Sequence, residues 1–190
     1  MSAAWIRMIS DSEADGELQS ALDDARTPHG TVDNVLRVHS LRPHTMRGHM
    51  SLYKSVLHHP DNSLSPLMLE LAGTYCSILN NCEYSVIHHS SNLKRLYGDD
   101  SGFERAIAAL REGKLDDGFE GKELVMLQYV EKLTTRVSDM EKQDYIDLIA
   151  SGCTDEEVLE LNQVVGYFCY VNRLLNGLGV TTEGDVIGYY

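Results

Sequence analysis

The apolar positions of this chain recur at helical spacing and do not alternate. In residues 12–26, Leu18, Ala21, Leu22 and Ala25 form one stripe of an otherwise acidic stretch, which predicts a surface helix. Thr27-Pro-His-Gly30 breaks it. Two shorter helical stretches are expected near 32–40 and 43–58, the second opening on Pro43 in a favourable first-turn position. Ser65-Pro66 pairs a capping residue with a first-turn proline and starts a helix that runs to about Leu79. Asn81 is expected to cap the next helix, from Cys82 to about Tyr97, with Gly98 as its stop. Further helices are expected near 101–112, 121–136 and 139–150. Thr154-Asp-Glu-Glu157 is a capping box that opens a long helix to about Asn176. Its apolar residues run nearly all round (Val158, Leu161, Val164, Val165, Phe168, Val171, Leu174, Leu175), so it is expected at the centre or at a subunit contact. The pattern predicts an all-α chain, with residues 1–190 as a single domain.

Composition adds mainly exclusions. A formal net charge of −13 argues against nucleic acid and anionic membrane surfaces, because both are bound through clustered Lys and Arg. No apolar run is long enough to span a bilayer. The start, Met-Ser-Ala-Ala-Trp-Ile-Arg, lacks a secretion-signal pattern, so a cytoplasmic location is expected. There, Cys76, Cys82, Cys153 and Cys169 are expected as thiols.

The stretch Asn80-Asn-Cys-Glu-Tyr-Ser-Val-Ile-His-His89 concentrates the chemistry. Cys82, Ser85 and His89 share one helix face, and Cys82 falls in the first turn, where the helix dipole favours a thiolate. Glu70 lies on the preceding helix, and a fold-back at Asn80-Asn81 brings its carboxylate toward the same place. Thiol, hydroxyl, imidazole and carboxylate together make a proton relay. The plainer reading is a small buried Cys and an ordinary hydrogen-bonded His. A metal site drawing on Cys82, Glu70, His58-His59 and His88-His89 lacks zinc-type spacing, and neither metal nor cofactor is expected.

These residues carry a resemblance. Glu70, an eleven-residue gap, then Cys82, Ser85 and His89 resembles the core of the alkylhydroperoxidase D / carboxymuconolactone decarboxylase family, which has Cys-x-x-Cys-x-x-x-His after its Glu. The motif core covers about 65–97, and His88 completes the common His-His ending. Trp5-Ile-Arg-Met-Ile, Val35-Leu-Arg-Val-His-Ser-Leu-Arg-Pro-His44 and Tyr170-Val-Asn-Arg-Leu-Leu-Asn-Gly-Leu-Gly179 resemble its peroxidase-related branch. The resemblance implies an all-α protomer that assembles as a homo-trimer or homo-hexamer. In peroxidase members, Glu and His activate two Cys that reduce hydroperoxides and form a disulfide, which a thiol donor reopens. Decarboxylase members act on small lactone acids without that cycle. The resemblance therefore implies catalytic roles for Glu70, Cys82, Ser85, His89 and, secondarily, His88, with a hydroperoxide or a small organic acid as substrate and an external thiol as reductant.

Position 85 departs from the pattern. A hydroxyl forms neither a sulfenic acid nor a disulfide, so the two-Cys cycle cannot run between 82 and 85. Three readings stay open: a single peroxidatic Cys82, a non-redox lyase or isomerase using Glu70, Ser85 and His89, or a non-catalytic remnant. Cys76 is the nearest alternative resolving thiol in sequence, though a structural role is the simpler expectation. Cys169 reads as core and Cys153 as exposed; His44, His49, His58 and His59 read as solvated or capping.

Overall fold

The computed structural model describes residues 3–188. Its α-helices are α1 (Gly16–Asp24), α2 (Asn34–Arg37), α3 (Pro43–Leu57), α4 (Pro66–Leu79), α5 (Glu83–Tyr97), α6 (Asp100–Glu112), α7 (Gly121–Thr135), α8 (Lys142–Ala150) and α9 (Asp155–Leu178), and no strand occurs among the described residues. The all-α expectation holds. No helix among these residues is long and apolar enough to cross a membrane.

α4 is the centre of the packing. Its residues Met68–Ser77 are all buried, and it lies against α5, α7 and α9. Ser65 begins it as expected, its hydroxyl accepting the Met68 N–H at 3.2 Å, with Pro66 in the first turn. α9 starts at the anticipated capping box, Thr154 with Glu157, and buries Leu161, Val164, Val165, Phe168, Val171 and Leu175. Each large apolar side chain so buried contributes about 1.5–3 kcal/mol. A smaller apolar cluster joins α1 to α3 through Leu18, Ala21, Leu22, Ala25, Val32 and Met46, which confirms the inward stripe of the first helix.

Two boundaries differ from the sequence reading. The 12–26 stretch is interrupted: Ser10 and Glu13 close a capping box around a 3-10 turn at Asp11–Glu13, and α1 begins afresh at Gly16. The expected 139–150 helix likewise splits into a 3-10 turn at Val137–Asp139 and α8.

Between α4 and α5 the chain reverses at Asn81, whose φ of 51° is left-handed. Asn is among the few residues that tolerate this. In consequence Cys82, not Asn81, is the N-cap of α5. Its N–H donates to Ser77 O at 2.9 Å, and Asn176 of α9 donates to Asn80 O and Asn81 O at 3.1 and 3.3 Å. The reversal is thereby fixed by three hydrogen bonds, one to α4 and two from α9.

Candidate active site

Folding α5 back along α4 sets His89 against Glu70. Nδ1 of His89 lies 2.8 Å from Glu70 Oε2, both side chains are buried, and Asn92 Nδ2 donates to Glu70 Oε1 at 3.4 Å. The carboxylate fixes Nδ1 as the protonated nitrogen, which leaves Nε2 to accept or pass a proton. Phe168 of α9 packs edge-on to the His89 ring, centroids 4.7 Å apart. It reaches that position by crossing α4 at Gly73, where a Cβ would overlap the Phe168 ring. Glycine there is a requirement of the site.

Ser85 lies one turn before His89. Its oxygen accepts from Asn172 Nδ2 at 3.0 Å and from the Cys82 thiol at 3.5 Å. Cys82 exposes none of its surface. A cavity of about 40 Å³ is lined by Ser85, His88 and His89 from α5, Tyr84, His49, Tyr53, Tyr167, and the apolar Val35, Leu36 and Val171. That is room for a few water-sized molecules. Neither Lys nor Arg is among the described residues that line it. Cys82 does not line it either; its enclosed sulfur meets the cavity only through Ser85.

The structure therefore gathers Glu70, His89, Ser85 and Cys82, with His88 in the same cavity wall. His88 Nε2 stands 3.5 Å from Asp185 Oδ2, too far for a good hydrogen bond but near enough for an ion pair when the ring is protonated. Asp185 also accepts the Tyr84 hydroxyl at 2.5 Å and the Asn34 N–H at 3.0 Å. Burial, and then this carboxylate, push the Tyr84 hydroxyl well above its usual range. No group of three or more His, Cys, Asp or Glu among the described residues has an arrangement suited to a metal ion.

Several site residues were not read from sequence. Asp185 sits in a C-terminal tail that gives no periodic signal. His49, expected as solvated or capping, is instead buried: Nδ1 meets His39 Nε2 at 3.0 Å and Nε2 meets the Tyr167 hydroxyl at 2.9 Å. Burial, then the neighbouring His39, push His49 down to about 4, so it is neutral near pH 7. The same burial raises Tyr167 far above the usual tyrosine range. Asn172 was legible in principle, as an amide within the apolar α9.

The remaining cysteines also depart from expectation. Cys153 is buried, not exposed. Cys169 is only partly buried, and its sulfur lies 3.8 Å from that of Cys76.

No protein-family model and no curated protein matches the chain. Solved structures do. An uncharacterized peroxidase-related protein of Ralstonia eutropha JMP134, described as an alkylhydroperoxidase AhpD core, superposes with a TM-score of 0.83 at 17% identity, over 100% of this chain and 98% of that one. An uncharacterized peroxidase-related protein of Silicibacter sp. TM1040 gives 0.81 at 21% identity, over 97% and 94%. A cysteine-to-alanine variant of the debrominase Bmp8 in complex with 2,3,4-tribromopyrrole gives 0.72 at 15% identity, over 93% and 90%. At these identities the likeness is one of architecture. The chain has the alkylhydroperoxidase D-like fold of these peroxidase-related proteins.

Proposed function

We propose that the chain is an oxidoreductase that reduces a small uncharged hydroperoxide at Cys82. The observation that carries this reading is the Glu70–His89 pair, 2.8 Å apart, facing a cavity that shares Ser85 with the Cys82 thiol. The cavity's size suits a peroxide, and the lack of a lining Lys or Arg disfavours a carboxylate substrate. In the proposed step the Cys82 thiolate attacks the O–O bond. An S–O bond forms, O–O breaks, and the departing oxygen takes a proton through His89. An external thiol then displaces the hydroxyl of the sulfenic acid as water, and a second thiol frees Cys82 as the two close a disulfide. Because Ser85 stands between cavity and sulfur, a side-chain rotation of Ser85 or Cys82 precedes the attack. Slow turnover is the expected consequence.

The test is hydroperoxide consumption with dithiothreitol as donor. Cys82→Ser, Glu70→Gln and His89→Ala are each expected to lower turnover by about 10²-fold, the ordinary scale of a nucleophile or acid/base residue. Wild-type turnover unchanged in Cys82→Ser would sink the reading.

A second reading rests on one observation: Ser85, not Cys82, lines the cavity beside His89. It is a non-redox acid/base enzyme using Glu70, Ser85 and His89. An activity lost in Glu70→Gln and Ser85→Ala but kept in Cys82→Ser would favour it. Assembly into homo-oligomers belongs to the same proposal, and sedimentation measures it directly.

A further inference from the structure

The sulfurs of Cys76 on α4 and Cys169 on α9 lie 3.8 Å apart, although 93 residues separate them in sequence. A disulfide needs about 2.05 Å, so closing the gap takes a movement of under about 2 Å shared between two side chains. Hydrogen-bond donors converge on the pair. Asn80 Nδ2 lies 3.4 Å from the Cys76 sulfur and 3.8 Å from that of Cys169, and Thr134 Oγ1 lies 3.5 Å from Cys76. Arg173, one turn past Cys169 on α9, donates to the Cys169 carbonyl at 2.7 Å and places its guanidinium alongside. Cys76 exposes no surface, while Cys169 is partly exposed. An open depression of about 360 Å³, lined by Asn80, Asn172, Arg173, Asn176 and Gly177, connects to the pair through Asn80 and Arg173 and not through either sulfur. The amide N–H groups of Asn80, Asn172 and Asn176 are spent inside the fold, and the exposed Arg173 guanidinium is the group that meets a ligand, one that carries a carboxylate.

We propose that Cys76 and Cys169 form a second, independent redox site, a dithiol that exchanges with small carboxylate-bearing peptide disulfides seated in the Asn80–Arg173 depression. The Cys169 thiolate attacks one sulfur of the disulfide. A mixed disulfide forms, the substrate S–S bond breaks, and the first thiolate leaves and takes up a proton. The Cys76 thiol gives up its proton and attacks the Cys169 sulfur, and the second thiolate leaves protonated. The protein dithiol is oxidised by two electrons, and one disulfide becomes two thiols. The division of roles follows from the surroundings. Cys169 is the partly exposed member of the pair, and the Cys76 hydrogen bond, the Asn80 amide and Arg173 draw its thiol down to about 6. Cys76, in contact with the Cys169 sulfur and enclosed, is held protonated until the second step.

Oxidised glutathione is the probe, added without peroxide to the fully reduced protein, followed by alkylation and peptide mapping. The wild type and Cys82→Ser are both expected to yield a Cys76–Cys169 disulfide and two equivalents of reduced glutathione. Cys76→Ser is expected to stop at a glutathionyl adduct on Cys169, and Arg173→Ala to slow exchange by about 10-fold. Four free thiols recovered from treated wild type, or an adduct confined to Cys82 or Cys153, would overturn the proposal. Because Cys82→Ser retains the exchange, its outcome is separate from that of the peroxide assay.

Discussion

Cys82 and Cys76 lie six residues apart at the two ends of one helix reversal, and their surroundings differ in kind. Cys82 has a hydroxyl partner, Ser85, at 3.5 Å, with a carboxylate–imidazole pair beyond it. Cys76 has a thiol partner, Cys169, at 3.8 Å, with amide and hydroxyl donors around it. The first site has one sulfur beside a carboxylate–imidazole pair. The second has two sulfurs and no acid/base pair. The two proposals divide accordingly: disulfide exchange is assigned to the spatial pair of thiols, and proton transfer to Glu70 and His89.

The strongest way to break this contrast is to give the first site its missing sulfur. Ser85→Cys places a thiol in the cavity beside His89 and within disulfide reach of Cys82. Hydroperoxide turnover is expected to rise 10²–10³-fold, about 3–4 kcal/mol of barrier. No gain in steady-state peroxide consumption would mean that His89 and Glu70 do not serve position 85.

The next test removes the space that orients His89. Gly73→Ala drives a methyl into the Phe168 ring, and inside a helix–helix contact such overpacking costs about 2–3 kcal/mol. Urea unfolding should register that loss, with peroxide turnover falling as the His89 ring loses its edge-on neighbour. Glutathione exchange at Cys169 should persist in the folded variant, which separates the two regions.

This uneven division also explains what was legible in the sequence. The helices announced themselves through caps and punctuation, Ser65-Pro66, Thr154 with Glu157, and Gly98, because those are local devices. The Glu70–His89 pairing was legible because one reversal joins two adjacent helices. Cys76 with Cys169 was not, since nothing in either neighbourhood encodes α9 lying on α4. Asp185 and His49 were missed for the same reason: their partners, Tyr84, His39 and Tyr167, are brought to them only by tertiary packing. The left-handed Asn81 moved the α5 cap by one residue, a backbone choice that side-chain pattern does not report.

The cavity side of the comparison also carries a pH signature. His49 is held at about 4 in the fold against 6.5 for the free side chain. Between those values the unfolded chain binds more protons, so this stabilisation is complete above pH 6.5 and is lost as pH falls toward 4. From pH 7 to pH 5 the wild type should lose about 2 kcal/mol through this residue. His49→Phe should show a correspondingly shallower dependence in urea unfolding at the two pH values. Equal slopes would show that His49 titrates normally.

The smallest expected effect concerns the amide that spans both regions. Asn172 donates to Ser85 at 3.0 Å and Ser77 at 3.3 Å, and accepts from Asn80 at 3.1 Å, the residue whose amide also faces the two sulfurs. In Asn172→Ala the neighbours keep other partners: Ser77 still donates to Gly73 O, and Ser85 still accepts from Cys82. The cost should therefore stay near that of one net hydrogen bond, about 1 kcal/mol, or roughly 2–4 °C in Tm for a chain of this size. The kinetic readouts are sharper. With the bridge gone, Ser85 is freer to turn away from Cys82 and Asn80 is freer to move off the sulfurs. The rate of sulfenic acid formation at Cys82 and the rate of glutathione exchange at Cys169 should then both change. A change at only one of them would show that the bridge holds the helices together without joining the chemistry of the two sites.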